Sequence, residues 1–201
     1  PVSEAGKQIM NAFSETLMDR PLSYEWKSMG QFFDYLESDG RLLFNNVQLV
    51  GHGALHLAAV QDFTKQPDSR EMAKMVGMAA DALDQGAGGL SFGLMYPPGL
   101  FSTWEDLMAL ARVPANRRRI LAVHKRAFSR YSGSYPIIPF FDRPHNLKAL
   151  DEILSIALQT GVQLQISHLI FVGKKTFLGH EALLLRNPGM MLVPVAWMEF
   201  T

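Results

Sequence analysis

Cysteine is absent from all 201 residues. No disulfide can staple this chain, and none of its own side chains can offer a thiolate to a metal. The lack fits a reducing compartment, and a cytoplasmic location is the expectation. Charge of neither sign is in excess, since 19 Lys+Arg stand against 19 Asp+Glu. A formal net charge of zero gives no global field to gather nucleic acid or an anionic membrane, so neither is expected as a partner. No uninterrupted apolar run is long enough to span a bilayer, and the head of the chain has no signal-peptide pattern. Pro1 stands where a methionine would, so a processed chain or a piece of a longer one is expected. No Gly-x-Gly-x-x-Gly and no P-loop follows a strand-like segment, which weakens nucleotide binding. Internal repeats and low-complexity linkers are also missing.

What is present is a core-forming chain, 48% hydrophobic, in which strand-like and helix-like segments alternate. Residues 46–51 read as a short buried strand. Asp68 and Glu71 then have the spacing of a capping box and open a helix to about Gln85, where Gly86 stops it. Residues 88–93 read as a second strand. Ser102 and Glu105 suggest another capping box, opening a helix to about Arg112. Residues 119–124 read as a third strand. Pro144 precedes a helix over 145–160 whose apolar face is Leu150, Ile153, Leu154 and Ala157, with Gly161 ending it. Residues 162–167 read as a fourth strand, 181–186 as a helix and 190–195 as a fifth strand. Alternation of this kind means parallel strands joined by right-handed crossovers, in an open doubly wound sheet or a (β/α)8 barrel. A whole barrel needs about 250 residues. The fold class expected is therefore α/β, as part of a TIM-type barrel. Residues 1–40 differ in kind, with amphipathic helices over 6–18 and 28–37, the second packing Phe32, Phe33 and Leu36. They read as a helical lead-in packing on a partial barrel formed by 41–201.

Chemistry in such folds sits where strands end. His168 closes the fourth strand and is followed by a loop containing Gly173. A neutral imidazole there can bind a metal or act as a base, and the bland alternative is a buried histidine satisfied by backbone groups. His52 and His56, at i and i+4 after the first strand, would share a helix face, but with no third ligand nearby a packed turn is the simpler reading. Ser91 opens a segment in which Pro97 and Pro98 fix the loop and Tyr96 can offer a hydroxyl. His124-Lys125-Arg126 puts two cations and an imidazole at a third strand end, a set suited to a carboxylate or to the neighbourhood of a metal.

Three stretches carry a resemblance: residues 50–55 (Val-Gly-His-Gly-Ala-Leu), 82–99, and 165–169 (Gln-Ile-Ser-His-Leu). In order and spacing they resemble the D-aminoacylase, or N-acyl-D-amino-acid deacylase, branch of the amidohydrolase superfamily, over roughly residues 24–177. That family is a zinc-dependent (β/α)8 barrel with a small β domain, and it hydrolyses the amide bond of N-acylated D-amino acids. The resemblance implies zinc as cofactor, His168 as a metal ligand on the fifth barrel strand, and Tyr96 with Ser91 in the substrate pocket. His124 and Arg126 match the family's His-x-Arg and are expected to line the pocket, with His52 a further candidate. The expected partner is a small N-acyl amino acid, and the oligomeric state stays open, a homo-oligomer included. A related cyclic-amide hydrolase is the alternative enzyme. A catalytically inactive fragment with an assembly role is the alternative outside catalysis.

The departures from the family are specific. The His-x-His of the first barrel strand is absent, Ala127 and Phe128 stand where an acidic residue is usual, and Ile170 replaces a frequent lysine. Residues 190–199 resemble the eighth-strand segment, with Val195 in the place of the aspartate base, so the catalytic carboxylate is not found. If that match holds, two strands are missing after about residue 177 and the chain is discontinuous there.

Overall fold

A computed structural model of the chain describes residues 7, 8, 11, 26–38, 45–136, 143–170 and 172. The expected elements over 181–186 and 190–195, Val195, and most of the helix over 6–18 lie outside the described residues.

Helix α1 (Met29–Ser38) precedes β1 (Leu49–Gly51), which runs straight into α2 (His52–Ala59). Then follow α3 (Ser69–Asp84), β2 (Gly89–Gly93), a 3-10 turn (Gly99–Phe101), α4 (Trp104–Ala115), β3 (Ile120–His124), α5 (His145–Thr160) and β4 (Gln163–Ile166). The sheet order is β1-β2-β3-β4, and every neighbouring pair is parallel. A doubly wound sheet reverses its order at a switch point, and this one does not, so the arrangement is an arc of a barrel.

Alternation along the strands divides the two faces. Val50, Leu90, Phe92, Leu121, Val123 and Ile166 join one buried cluster with Leu55, Met75, Leu83, Leu107, Leu110, Leu150 and Ile153 from the helices. Each such side chain taken fully from water contributes roughly 1.5–3 kcal/mol. The pleat turns the residues between them to the other face. There Gly51, Ser91, Ala122 and Gln165 form one cross-strand row, and Gly93 pairs with His124 in the row toward the strand ends.

Local chemistry explains the boundaries. Asp68 caps α3, accepting from the backbone N–H groups of Arg70 and Glu71, while the Glu71 carboxylate accepts from the Asp68 N–H, as its spacing predicts. At α4 the structure corrects the sequence reading by one residue. Thr103, not Ser102, is the cap, and Asp106, not Glu105, completes the box. The helix also continues through Pro114 to Ala115, past the expected end at Arg112. Gly161 ends α5 in the left-handed region, at φ 72°. Helix α1 carries no buried residue, so Phe32, Phe33 and Leu36 are only half-buried, a correction to their expected packing. Trp26 instead packs at a tilt against Phe32 and Tyr35, at 5.1 and 5.2 Å between ring centroids. Among the described residues no helix is long and apolar enough to cross a membrane.

Candidate active site at the strand ends

His124 is the last residue of β3, and the parallel ladder continues past it on both sides. The Leu94 N–H donates to the His124 carbonyl at 2.9 Å, and the Ser167 N–H donates to the Val123 carbonyl at 3.0 Å. These bonds bring the segments after β2 and β4 against the His124 imidazole. Its ring stands 5.7 Å from Tyr96, 4.9 Å from Phe128 and 5.2 Å from His168, centroid to centroid. Burial, then the charges of His168 and Lys125, hold the His124 pKa below its ordinary value. The ring is thus kept neutral, and its Nδ1 is buried with no hydrogen-bond partner among the described residues. A neutral imidazole with an uncommitted nitrogen is a proton acceptor or a metal ligand.

Tyr96 closes the site from the β2 side. A Cβ at Gly93 would lie 2.2 Å from the Tyr96 hydroxyl, so the phenol occupies the space a side chain would take. The same crowding recurs at Gly99, where a Cβ would lie 2.1 Å from the Gly93 carbonyl oxygen. These two glycines let the Pro97–Pro98 loop fold back over the strand end. Tyr96 remains 43% exposed, which leaves its ring on the open rim. Ser91 lies two residues before Gly93 on the same strand face, in the row with Gly51 and Ala122.

Arg126 and His52 are deeply buried. The Arg126 guanidinium donates to Glu152 through Nε and Nη2, to the Gly99 and Leu100 carbonyls through Nη1, and to the Ser102 carbonyl through Nη2. His52 Nε2 lies 3.3 Å from the Ser102 hydroxyl, with Phe92 edge-on at 5.7 Å. Burial, with the His56 and Arg126 charges behind it, pushes the His52 pKa down to about 4. His56 pairs with His52 at 5.9 Å between ring centroids, and its Nε2 meets the Lys65 carbonyl at 3.0 Å. The structure therefore joins His124, His168 and Tyr96, sets Ser91 below them, and holds His52 and Arg126 beneath the 99–102 turn.

Sequence reasoning missed three participants. Lys125 read as part of a cationic set suited to a carboxylate or a metal's neighbourhood, yet it is fully buried, with Nζ donating to the Ala127 and Ile170 carbonyls and lying 3.8 Å from the Phe128 ring centroid. Burial lowers its pKa to about 7. Glu152 and Phe128 were not anticipated, and only the helical phase of Glu152, off the apolar face of α5, hinted that it needed a polar partner.

As a metal centre the set is partial. His124 and His168 are two imidazole donors side by side, and the free Nδ1 of His124 suits a ligand. Among the described residues no group of three His, Asp or Glu could hold a metal ion. The described residues fit part of a donor set.

No known family profile matches the chain. It is 36% identical over 152 residues to N-acyl-D-glutamate deacylase of Alcaligenes xylosoxydans xylosoxydans, covering 76% of this chain and 28% of that protein. It is 27% identical over 161 residues to D-aminoacylase of the same organism, covering 80% of this chain and 30% of that protein. The chain thus spans under a third of the length of these curated relatives. Among solved structures, N-acyl-D-glutamate deacylase of Bordetella bronchiseptica, complexed with zinc and a phosphonate mimic of the tetrahedral intermediate, superposes with a TM-score of 0.67 at 28% identity. That match covers 88% of this chain and 34% of the other. A D-aminoacylase described as defining a subset of amidohydrolases superposes at 0.68 over 89% of this chain and 35% of its own, and at 24% identity it speaks for the fold alone. In sequence and fold, this chain is a partial-length relative of the N-acyl-D-amino-acid deacylases, and its parallel α/β arc forms part of a TIM-type barrel.

Proposed function

We propose that the protein containing this chain is a zinc-dependent hydrolase that cleaves the amide bond of N-acyl-D-amino acids or a related acyl amide. The carrying observation is the pair His124 and His168 under Tyr96, at the strand ends of a chain 36% identical to an N-acyl-D-glutamate deacylase. His168 would hold the metal. Zinc, when bound, polarises the acyl carbonyl and makes water acidic enough to attack near neutral pH. His124, kept neutral by burial, lies beside that ligand and can accept a hydrogen bond or a proton at Nδ1. Tyr96 presents a half-exposed ring and hydroxyl to the substrate side. Among the described residues no carboxylate is assigned to take the proton of water and return it to the leaving amine.

The test is metal content of the intact protein by elemental analysis, with His168→Ala beside it, followed by hydrolysis of N-acyl-D-glutamate and of its L-enantiomer. Zinc near stoichiometry that drops on substitution, with turnover of the D-form, supports the reading. A folded, metal-free protein with no turnover points to the second reading, a catalytically inactive scaffold. That reading draws on the lack of a three-ligand group among the described residues.

A further inference from the structure

His124, Lys125 and Arg126 leave β3 as consecutive residues, and both cations are buried, at 0% and 5% exposure. An anion-binding role would leave donors turned to the pocket. The five N–H groups of Arg126 are all accounted for within the chain: one from Nε and one from Nη2 to Glu152, two from Nη1 to Gly99 and Leu100, and one from Nη2 to Ser102. Glu152 is itself fixed on α5 and accepts a further bond from the Tyr135 hydroxyl at 3.2 Å. Arg126 therefore ties one loop, the turn that follows Tyr96, to one helix. Lys125 does the corresponding work on the opposite side. Its bonds join Ala127, after β3, to Ile170, after β4 and two residues past His168. The same side holds a parallel bridge from Ser129 to Val172. Phe128 lies against both the Lys125 ammonium and the His124 ring.

We propose that Arg126 and Lys125 are positioning residues: two buried hooks that hold the loops flanking β3, Arg126 setting the Tyr96–His124 contact and Lys125 setting the His124–His168 contact. A buried cation is weak as a device for stability, because desolvation offsets much of its attraction. As a device for geometry it is strong, since three carbonyls of one turn converge on one rigid planar fork. The functional consequence rests on the proposed active site, but the geometric assignment does not. If it is right, a substrate carboxylate is recognised by a group other than Arg126.

The test separates the two hooks in the intact protein. Arg126→Lys keeps the charge near Glu152 but cannot reach three carbonyls, and Lys125→Met keeps the length and loses both bonds. With tyrosine and histidine rings selectively labelled, NMR cross-relaxation reads each ring contact. Arg126→Lys is expected to lose the Tyr96–His124 contact and retain His124–His168, and Lys125→Met is expected to do the reverse. In zinc and substrate assays, Arg126→Lys raises KM several-fold at unchanged metal content, whereas Lys125→Met lowers metal content. Glu152→Gln and Lys125→Gln stand in where a first variant fails to fold. Both contacts persisting in both variants, or both vanishing together in either, overturns the proposal. Failure of both variants at one hook to fold does so too, because the residue then holds the fold rather than a loop. Wild-type protein without zinc or turnover would retire the proposed function and leave the ring-contact result standing.

Discussion

His124 and His168 meet edge to face, their ring centroids 5.2 Å apart and their planes at 85°. The residues are 44 apart in sequence, and only parallel pairing of β3 with β4 brings them level. The His124 ring is held neutral chiefly by burial, with the His168 charge second. A neutral His124 has the protonation state that an imidazole needs to accept a proton or bind a metal.

The first prediction concerns the division of labour in this pair. His168→Ala is expected to lose zinc. His124→Phe, which keeps an aromatic ring against His168, is expected to retain it while kcat/KM falls at least tenfold, or ~1.4 kcal/mol of transition-state stabilisation. Elemental analysis and steady-state kinetics on the two proteins decide this. Equal zinc loss in both would make His124 a ligand as well.

The same pair sets the acid limit. A histidine whose pKa is depressed has its titration midpoint below the ordinary 6.5. Activity that needs neutral His124 is therefore expected to fall on acidification with a midpoint below 6.5. A profile of kcat/KM against pH reads this in free enzyme. An acid limb centred above 6.5 would contradict the burial of this ring.

Gly89 and Gly93 separate stability from site geometry on one strand. A Cβ at Gly89 would meet the Ile120 carbonyl oxygen at 2.1 Å, a backbone atom inside the sheet. Gly89→Ala is expected to destabilise the fold by about 1–3 kcal/mol, as overpacking does. At Gly93 the obstacle is the far end of the Tyr96 side chain rather than backbone, so Gly93→Ala displaces the phenol instead. Denaturant titration should show the larger loss for Gly89→Ala, and KM should rise more for Gly93→Ala.

Much of this arc is legible in the sequence because local signals agree with one another. The helix His145–Thr160 has an apolar stripe, Pro144 before it and Gly161 after it, and the structure matches the expected bounds residue for residue. The strand ends at His124 and near His168 follow from short apolar runs closed by a polar residue. The α4 boundary is less legible because Ser102-Thr103 offers two capping hydroxyls and Glu105-Asp106 two carboxylates. The choice between them depends on where the chain arrives from the 99–102 turn, and that turn is set by Arg126, a residue 24 positions on from Ser102. The inward course of Lys125 and Arg126 is illegible for the same reason. Apart from the Glu152 carboxylate, their acceptors are backbone carbonyls, which carry no residue signature. The cap assignment has a direct check. Thr103→Ala should cost about 1 kcal/mol by removing a helix cap. Ser102→Ala should leave the cap intact and remove only the hydroxyl facing His52. Similar losses from the two substitutions would contradict the observed cap.

His52 gives the last prediction, on stability rather than catalysis. Its pKa is near 4 in the folded chain, and its ordinary value is 6.5. Above 6.5 the ring is neutral folded or unfolded, and it adds no pH dependence. Between 6.5 and about 4 the unfolded chain takes up a proton that the folded one refuses, so stability falls as pH falls through that window. At ~1.4 kcal/mol per pH unit the full span amounts to on the order of 3 kcal/mol. His56, also held low by burial but partly restored by the Lys65 carbonyl and by Glu71, Asp106 and Asp62, adds a smaller slope of the same sign. His52→Gln keeps an acceptor for the Ser102 hydroxyl and removes the titration. Urea midpoints measured from pH 7 downward should therefore fall less steeply in the variant. Parallel curves for the two proteins would mean that the His52 ring reaches solvent and protonates in the folded chain.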